Sequence, residues 1–94
     1  MNAATQSDLL SMINKAMNAE SDWVIRMVYK DKAGKRTRRV VSPIRFIDPE
    51  NMLALCLGRE EPRRFELERC SELELVNANE VLMPVDIEII DEDE

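Results

Sequence analysis

The hydrophobic positions near the start of the chain recur with the period of an α-helix. Leu9, Leu10, Ile13, Ala16 and Met17 fall on one narrow stripe, and most positions between them are polar. A stripe of this width buries a single face of a helix. We therefore predict an amphipathic helix over residues 7–19 that packs against a sheet and is followed by a polar break.

The hydrophobic period changes to two at Trp23. A period of two, with aromatic and β-branched residues, favours a strand over residues 23–30. The alternating sets are Trp23, Ile25, Met27 and Tyr29 against Val24, Arg26, Val28 and Lys30. A turn containing Gly34 then leads into a returning strand over residues 36–42. Pro43 has no backbone N–H, so we expect it to end the hydrogen-bonded ladder of that strand.

Turn signals separate the rest of the chain into short apolar segments. The remaining predicted strands are residues 52–57, 63–68 and 73–76, with a brief extension of the second strand over residues 44–48. One helix followed by five short strands with hairpin-sized turns predicts a mainly β (α+β) fold. We expect a small antiparallel barrel or rolled sheet over residues 23–76.

The end of the chain, residues 77–94, is an acidic tail. Val85, Ile87 and Ile89 alternate with polar or proline positions, so this segment either adds an edge strand to the same sheet or pairs with the sheet of a partner. Residues 91–94 are all acidic, and charge repulsion predicts that they are disordered. Since no linker or repeat divides the sequence, we predict a single domain over residues 1–94.

The charge is unevenly distributed along the chain. The net charge is −6, yet residues 26–45 carry eight basic residues and one acid, whereas residues 71–94 carry nine acids and no base. Two interpretations remain open. The basic stretch either forms a binding face for anions, or faces the acidic stretch and is neutralised by it.

The sequence lacks the usual side chains for catalysis and metal binding. It contains no histidine, which is the usual general base at neutral pH, and its two cysteines, Cys56 and Cys70, are too few for a zinc site. We expect both thiols to be small buried groups, and we predict a non-enzymatic protein with no cofactor and no metal. Neither a signal peptide nor a membrane segment is evident, so we predict a cytoplasmic location.

The order of these elements resembles the WYL domain, a family of SH3-like (Sm-like) barrels found in bacterial regulators. The resemblance covers about residues 9–76. It is carried by the segments Ile25–Tyr29, Arg39–Pro43, Leu53–Cys56 and Arg63–Arg69, together with Arg59.

The resemblance implies a function in regulation or ligand sensing. WYL domains are thought to bind nucleic-acid or nucleotide-like ligands through a basic, aromatic-lined surface. By position, the ligand-binding residues implied here are Tyr29, Arg39, Arg59, Arg63 and Arg69. The chain departs from the family at the Trp-Tyr-Leu positions, where residues 51–53 retain only the leucine, and at Glu66, where an arginine is common. The family's helix-turn-helix is also absent, so the chain is similar to a stand-alone, partly degenerate member.

Two functional hypotheses follow. The first is a binding module that takes a nucleotide-like anion or a single-stranded nucleic acid on the basic face. The alternative is a protein-interaction or assembly module that pairs, with a protein partner or with itself, through a sheet edge or the C-terminal segment. Individual residues have two interpretations as well: Tyr29 is either a ligand contact or a core residue at a strand end, and Arg63 and Arg69 either form an anionic site or pair with acids.

Overall fold

The computed structural model describes residues 6–18, 22–81 and 87–90. The helix α1 spans Gln6–Met17. The strands are β1 (Trp23–Lys30), β2 (Arg36–Asp48), β3 (Asn51–Cys56), β4 (Glu61–Glu66), β5 (Cys70–Asn77) and β6 (Glu88–Ile90). Two single turns of 3₁₀ helix, Leu67–Arg69 and Ala78–Glu80, flank β5.

The strands described form one antiparallel sheet in the order β4-β3-β2-β1-β5, and β6 pairs with β2. The prediction of a mainly β fold with an N-terminal helix is confirmed. The sheet has six strands rather than five, and in the described part of the chain no ladder joins β4 to β5. The sheet is therefore not closed, and the closed five-stranded barrel is not confirmed.

The main core lies on the concave face of the sheet. Met27, Val41, Met52 and Phe65 are almost fully buried there, and Ile13 of α1 packs among them, because the apolar stripe of the helix faces the sheet. The sheet curls strongly, so that the ring of Tyr29 on β1 meets the ring of Phe65 on β4. Their centroids are 5.0 Å apart in an edge-to-face arrangement.

Pro43 does not end the second strand, and β2 instead continues to Asp48. The N–H of Leu57 donates to the carbonyl oxygen of Val40, so the backbone polar groups of residues 40 and 42 face β3 while those of 41 and 43 face β1. The β1–β2 ladder ends at the pair Ile25 and Val41. The missing N–H of Pro43 therefore lies beyond that ladder and costs no hydrogen bond within it.

The fourth strand ends earlier than predicted. Residues 67–69 leave the sheet in a 3₁₀ turn, and the N–H of Leu67 donates to the carbonyl oxygen of Glu50. Arg69 therefore does not close β4. The fifth strand is correspondingly longer than predicted and begins at Cys70.

The C-terminal segment adds an edge strand to this chain's own sheet. Residues 88–90 of β6 pair with Arg36, Thr37 and Arg38 of β2. Residues 91–94, predicted to be disordered, lie outside the described residues. Within the ranges described, no helix is long and apolar enough to cross a membrane.

Candidate anion-binding site

Arg39 is the basic residue with the most unusual surroundings. It pairs across the β1–β2 ladder with Met27, a core residue, so it lies on the concave face of the sheet. Its Nε–H donates to Oγ1 of Thr37 at 2.9 Å, and Nη1 lies 3.7 Å from Sγ of Cys56. Its guanidinium carbon is 5.9 Å from the centre of the Phe65 ring, a cation–π contact.

These contacts leave much of the hydrogen-bonding capacity of Arg39 unused. A guanidinium has five N–H donors, and two of those of Arg39 have acceptors among the described residues. In the same part of the chain, no carboxylate lies within ion-pair distance of it. A partly buried cation that is held in place by a ring and a hydroxyl, and that retains donors, is suited to binding an anion.

Tyr29 reaches this cluster but is already engaged. Its hydroxyl oxygen accepts a hydrogen bond of 3.2 Å from the N–H of Glu66, and its ring packs on Phe65. Both contacts connect β1 to β4 across the concave face. These contacts match the interpretation of Tyr29 as a core residue at a strand end.

Arg69 is engaged in the same way. Its Nη1 donates to the carbonyl oxygens of Lys30 at 3.4 Å and Asp31 at 3.2 Å, where β1 ends, and its Nε donates to the carboxylate of Glu66 at 3.2 Å. Arg69 therefore fastens the 3₁₀ turn to the β1–β2 hairpin. Glu66, which the sequence comparison singled out as a departure from the family, is its ion-pair partner.

Arg63 and Arg59 are exposed. Arg63 lies two residues before Phe65, so both side chains emerge on the same face of β4. Arg59 lies in the turn that follows Cys56, and its N–H donates to the carbonyl oxygen of Cys56. Neither guanidinium has an ion-pair partner in the portion of the chain described.

A carboxylate that sequence reasoning missed lies on the same face. Glu61 is opposite Cys56 in the β3–β4 ladder, and cross-strand partners share a face of a sheet. Cys56 is also the residue that Arg39 contacts. Glu61 is therefore a negative charge close to the site, and it opposes the binding of an anion there.

Three arginines of the remaining basic stretch pair with acids from later in the chain. Arg26 pairs with Glu74 at 3.3 Å, Arg36 with Glu72 at 3.3 Å, and Arg38 with Glu88 at 3.1 Å. These ion pairs form because β5 lies beside β1 and β6 lies beside β2. Among the described residues, the four other cations of the stretch have no acid within ion-pair distance; they are Lys30, Lys32, Lys35 and Arg45.

The two thiols are buried and unpaired. Burial raises the pKa of Cys70 to about 12, so this thiol is protonated at neutral pH. Among the residues described, no group of three or more histidine, cysteine or carboxylate side chains is arranged to hold a metal ion.

A concavity lies elsewhere, between α1 and the end of β4. Its volume is about 560 Å³, and its lining includes Arg64 but also three carboxylates. The lining residues are Leu9, Glu50, Asn51, Arg64, Glu66, Leu67, Glu68 and Cys70. An excess of carboxylates disfavours an anion, so size alone does not make this cavity the better candidate.

No protein-family model matches the chain, and no curated protein matches it.

Proposed function

We propose that this chain is a non-catalytic, cytoplasmic regulatory module of the WYL type that binds a small nucleotide-like anion. The observation that carries the proposal is the state of Arg39, a partly buried guanidinium on the ring of Phe65 with unused donors. Phosphate and carboxylate groups are the natural acceptors for such a group, because its planar fork donates two parallel hydrogen bonds.

We further propose that the fold is an SH3-like barrel with an open seam. The meander of β1 to β4, the return of β5 to pair with β1, the 3₁₀ turn between β4 and β5 and the helix packed on the concave face all support this assignment. The contact of Tyr29 with Phe65 supports it as well, because it brings the two sides of the sheet together.

The charge distribution favours a small ligand over a nucleic-acid strand. Binding to a strand depends on many phosphate contacts along a basic track and on exposed rings for stacking. Here Arg26, Arg36 and Arg38 are paired with acids. The ring of Tyr29 packs on Phe65. One phosphate bound by Arg39 requires neither a basic track nor a free ring.

The direct test measures the binding of a fluorescent nucleoside monophosphate by anisotropy. We expect Arg39→Met, which keeps the packing on Phe65, to weaken binding about 10-fold or more, since charged hydrogen bonds contribute ~1.5–3 kcal/mol. Arg39→Lys should not restore binding, because an ammonium lacks the planar fork. Glu61→Gln should strengthen it by removing the opposing charge.

The matched control is Arg26→Met. Arg26 is an arginine of the same sheet that is paired with Glu74, so its loss should leave nucleotide binding unchanged. Equal affinity of the wild type and Arg39→Met would show that the site is assigned wrongly. A labelled single-stranded oligonucleotide, titrated over a salt series, tests the size of the ligand. A salt slope that corresponds to several phosphates would contradict the preference for a small anion.

A further inference from the structure

The short strand β6 occupies the part of the β2 edge that β3 leaves open. β3 pairs with β2 from Val41 onward, and β6 pairs with Arg36–Arg38. Without β6, the backbone groups of Arg36 and Arg38, which face that side, would form a free sheet edge. Free edges are sites to which an extended peptide adds as a further strand.

The contacts of the C-terminal segment show which kind of peptide this edge accepts. Ile87 packs against the main core, and Glu88 forms an ion pair with Arg38 at 3.1 Å. Ile89 pairs with Thr37 in the ladder, yet it remains 60% exposed. The edge therefore recognises an apolar residue followed by an acid, and it leaves the third position incompletely covered.

Few contacts hold β6 in place. Its ladder is three residues long, and its ion pair with Arg38 is exposed to solvent. Exposed ion pairs contribute little to stability. Residues 82–86 connect β6 to the rest of the chain, and a short connection of this kind gives the segment an effective concentration of about the millimolar range.

We propose that the Arg36–Arg38 edge of β2 is a docking site for an extended acidic peptide of another protein, and that β6 is its built-in competitor. A second copy of this chain would supply the same segment without the tether, so it could not displace the resident strand efficiently. A foreign peptide can displace it by contacts that β6 lacks, for example by covering the position of Ile89. The edge adjoins the anion site, because Thr37, which pairs with Ile89, also accepts a hydrogen bond from Arg39.

The test uses a labelled synthetic peptide of residues 82–94 and the protein shortened after Val81. We expect the peptide to bind the shortened protein at least about 10-fold more tightly than the full chain, because the competitor is gone. A charge exchange tests the register. Arg38→Glu in the shortened protein places two carboxylates together and should weaken binding of this peptide several-fold, and a peptide carrying Glu88→Lys should restore it.

A second variant covers the case in which the shortened protein does not fold. In the full chain, Glu88→Lys places a second cation next to Arg38 and should weaken the pairing of β6 with β2. The unmodified peptide should therefore bind the Glu88→Lys variant more tightly than it binds the wild type. Glu80→Lys is the matched control, because Glu80 is exposed and lies outside the ladder. Equal peptide binding by Glu88→Lys and wild type, or binding that is insensitive to Arg38→Glu, would overturn the proposal. Dimerisation of the full chain that Arg38→Glu abolishes would identify a second copy as the occupant, and would equally overturn it.

Discussion

The hydroxyl of Tyr29 offers a sharp test of how the curled sheet is held together. Tyr29→Phe removes only the oxygen that accepts from the N–H of Glu66 and keeps the ring against Phe65. Because the partly buried N–H then loses its acceptor, we expect the free energy of unfolding to fall by about 1–2 kcal/mol. Tyr29→Leu should cost about 1 kcal/mol more, since it also removes the edge-to-face ring pair.

Urea unfolding followed by the fluorescence of Trp23, the sole tryptophan, measures both variants. With a slope of about 1 kcal/mol per molar urea, Tyr29→Phe should lower the midpoint by about 1–2 M. An unchanged midpoint would refute the structural role of this hydrogen bond.

The same variant separates the two interpretations of Tyr29. If its role is structural, Tyr29→Phe should keep its affinity for the nucleoside monophosphate. Unchanged stability together with lost nucleotide binding would instead identify Tyr29 as a ligand residue.

Three further perturbations test other parts of the fold. Arg69→Met should destabilise the protein by about 1–2 kcal/mol in urea unfolding, because two strand-end carbonyls lose their donor, and Arg69→Lys should not restore the loss. Glu60 has a φ of 57°, so Glu60→Gly should stabilise by about 0.5–1 kcal/mol, whereas Glu61→Gly, in β4, should destabilise by a similar amount. The pKa of Cys70 is raised to about 12. The unfolded chain releases this proton above about pH 8.5. Stability should therefore be intact below that pH and should fall as pH rises toward the folded pKa. Cys70→Ala should abolish this fall when midpoints are compared at about pH 7 and about pH 10.

The spacing of apolar residues along the sequence predicted the elements that depend on local spacing alone. The helix and the first strand follow from a periodicity of apolar positions, and residues 23–30 form β1 as predicted. The prediction that Pro43 ends the ladder holds for the pairing of β2 with β1, which stops at Val41, but not for its pairing with β3, which continues to Asp48. The cost of a missing N–H depends on whether a neighbouring strand faces it. Whether a strand faces the missing N–H is decided by how the strands pair, and the proline alone does not show it.

The candidate site was less predictable, because its character depends on contacts between distant segments. The resemblance to the WYL domain pointed to Tyr29, Arg39 and Arg69 alike, yet Tyr29 and Arg69 already have protein partners. The excess of basic residues over 26–45 was visible in the sequence. The pairing of three of its arginines with Glu72, Glu74 and Glu88 depends on which strands become neighbours. One feature of the sequence did indicate these ion pairs, namely the opposite charges of residues 26–45 and residues 71–94.

The open sheet has a consequence for solubility through the outer edge of β4. The residues that face β3 are 61, 63 and 65, so the outward backbone groups belong to Pro62, Arg64 and Glu66. Pro62 has no N–H, and the N–H of Glu66 is already given to the hydroxyl of Tyr29. Arg64 alone retains a donor on this side of β4. An invading strand therefore finds no continuous row of partners, and the protein can leave its sheet unclosed without offering β4 as a template for fibrils.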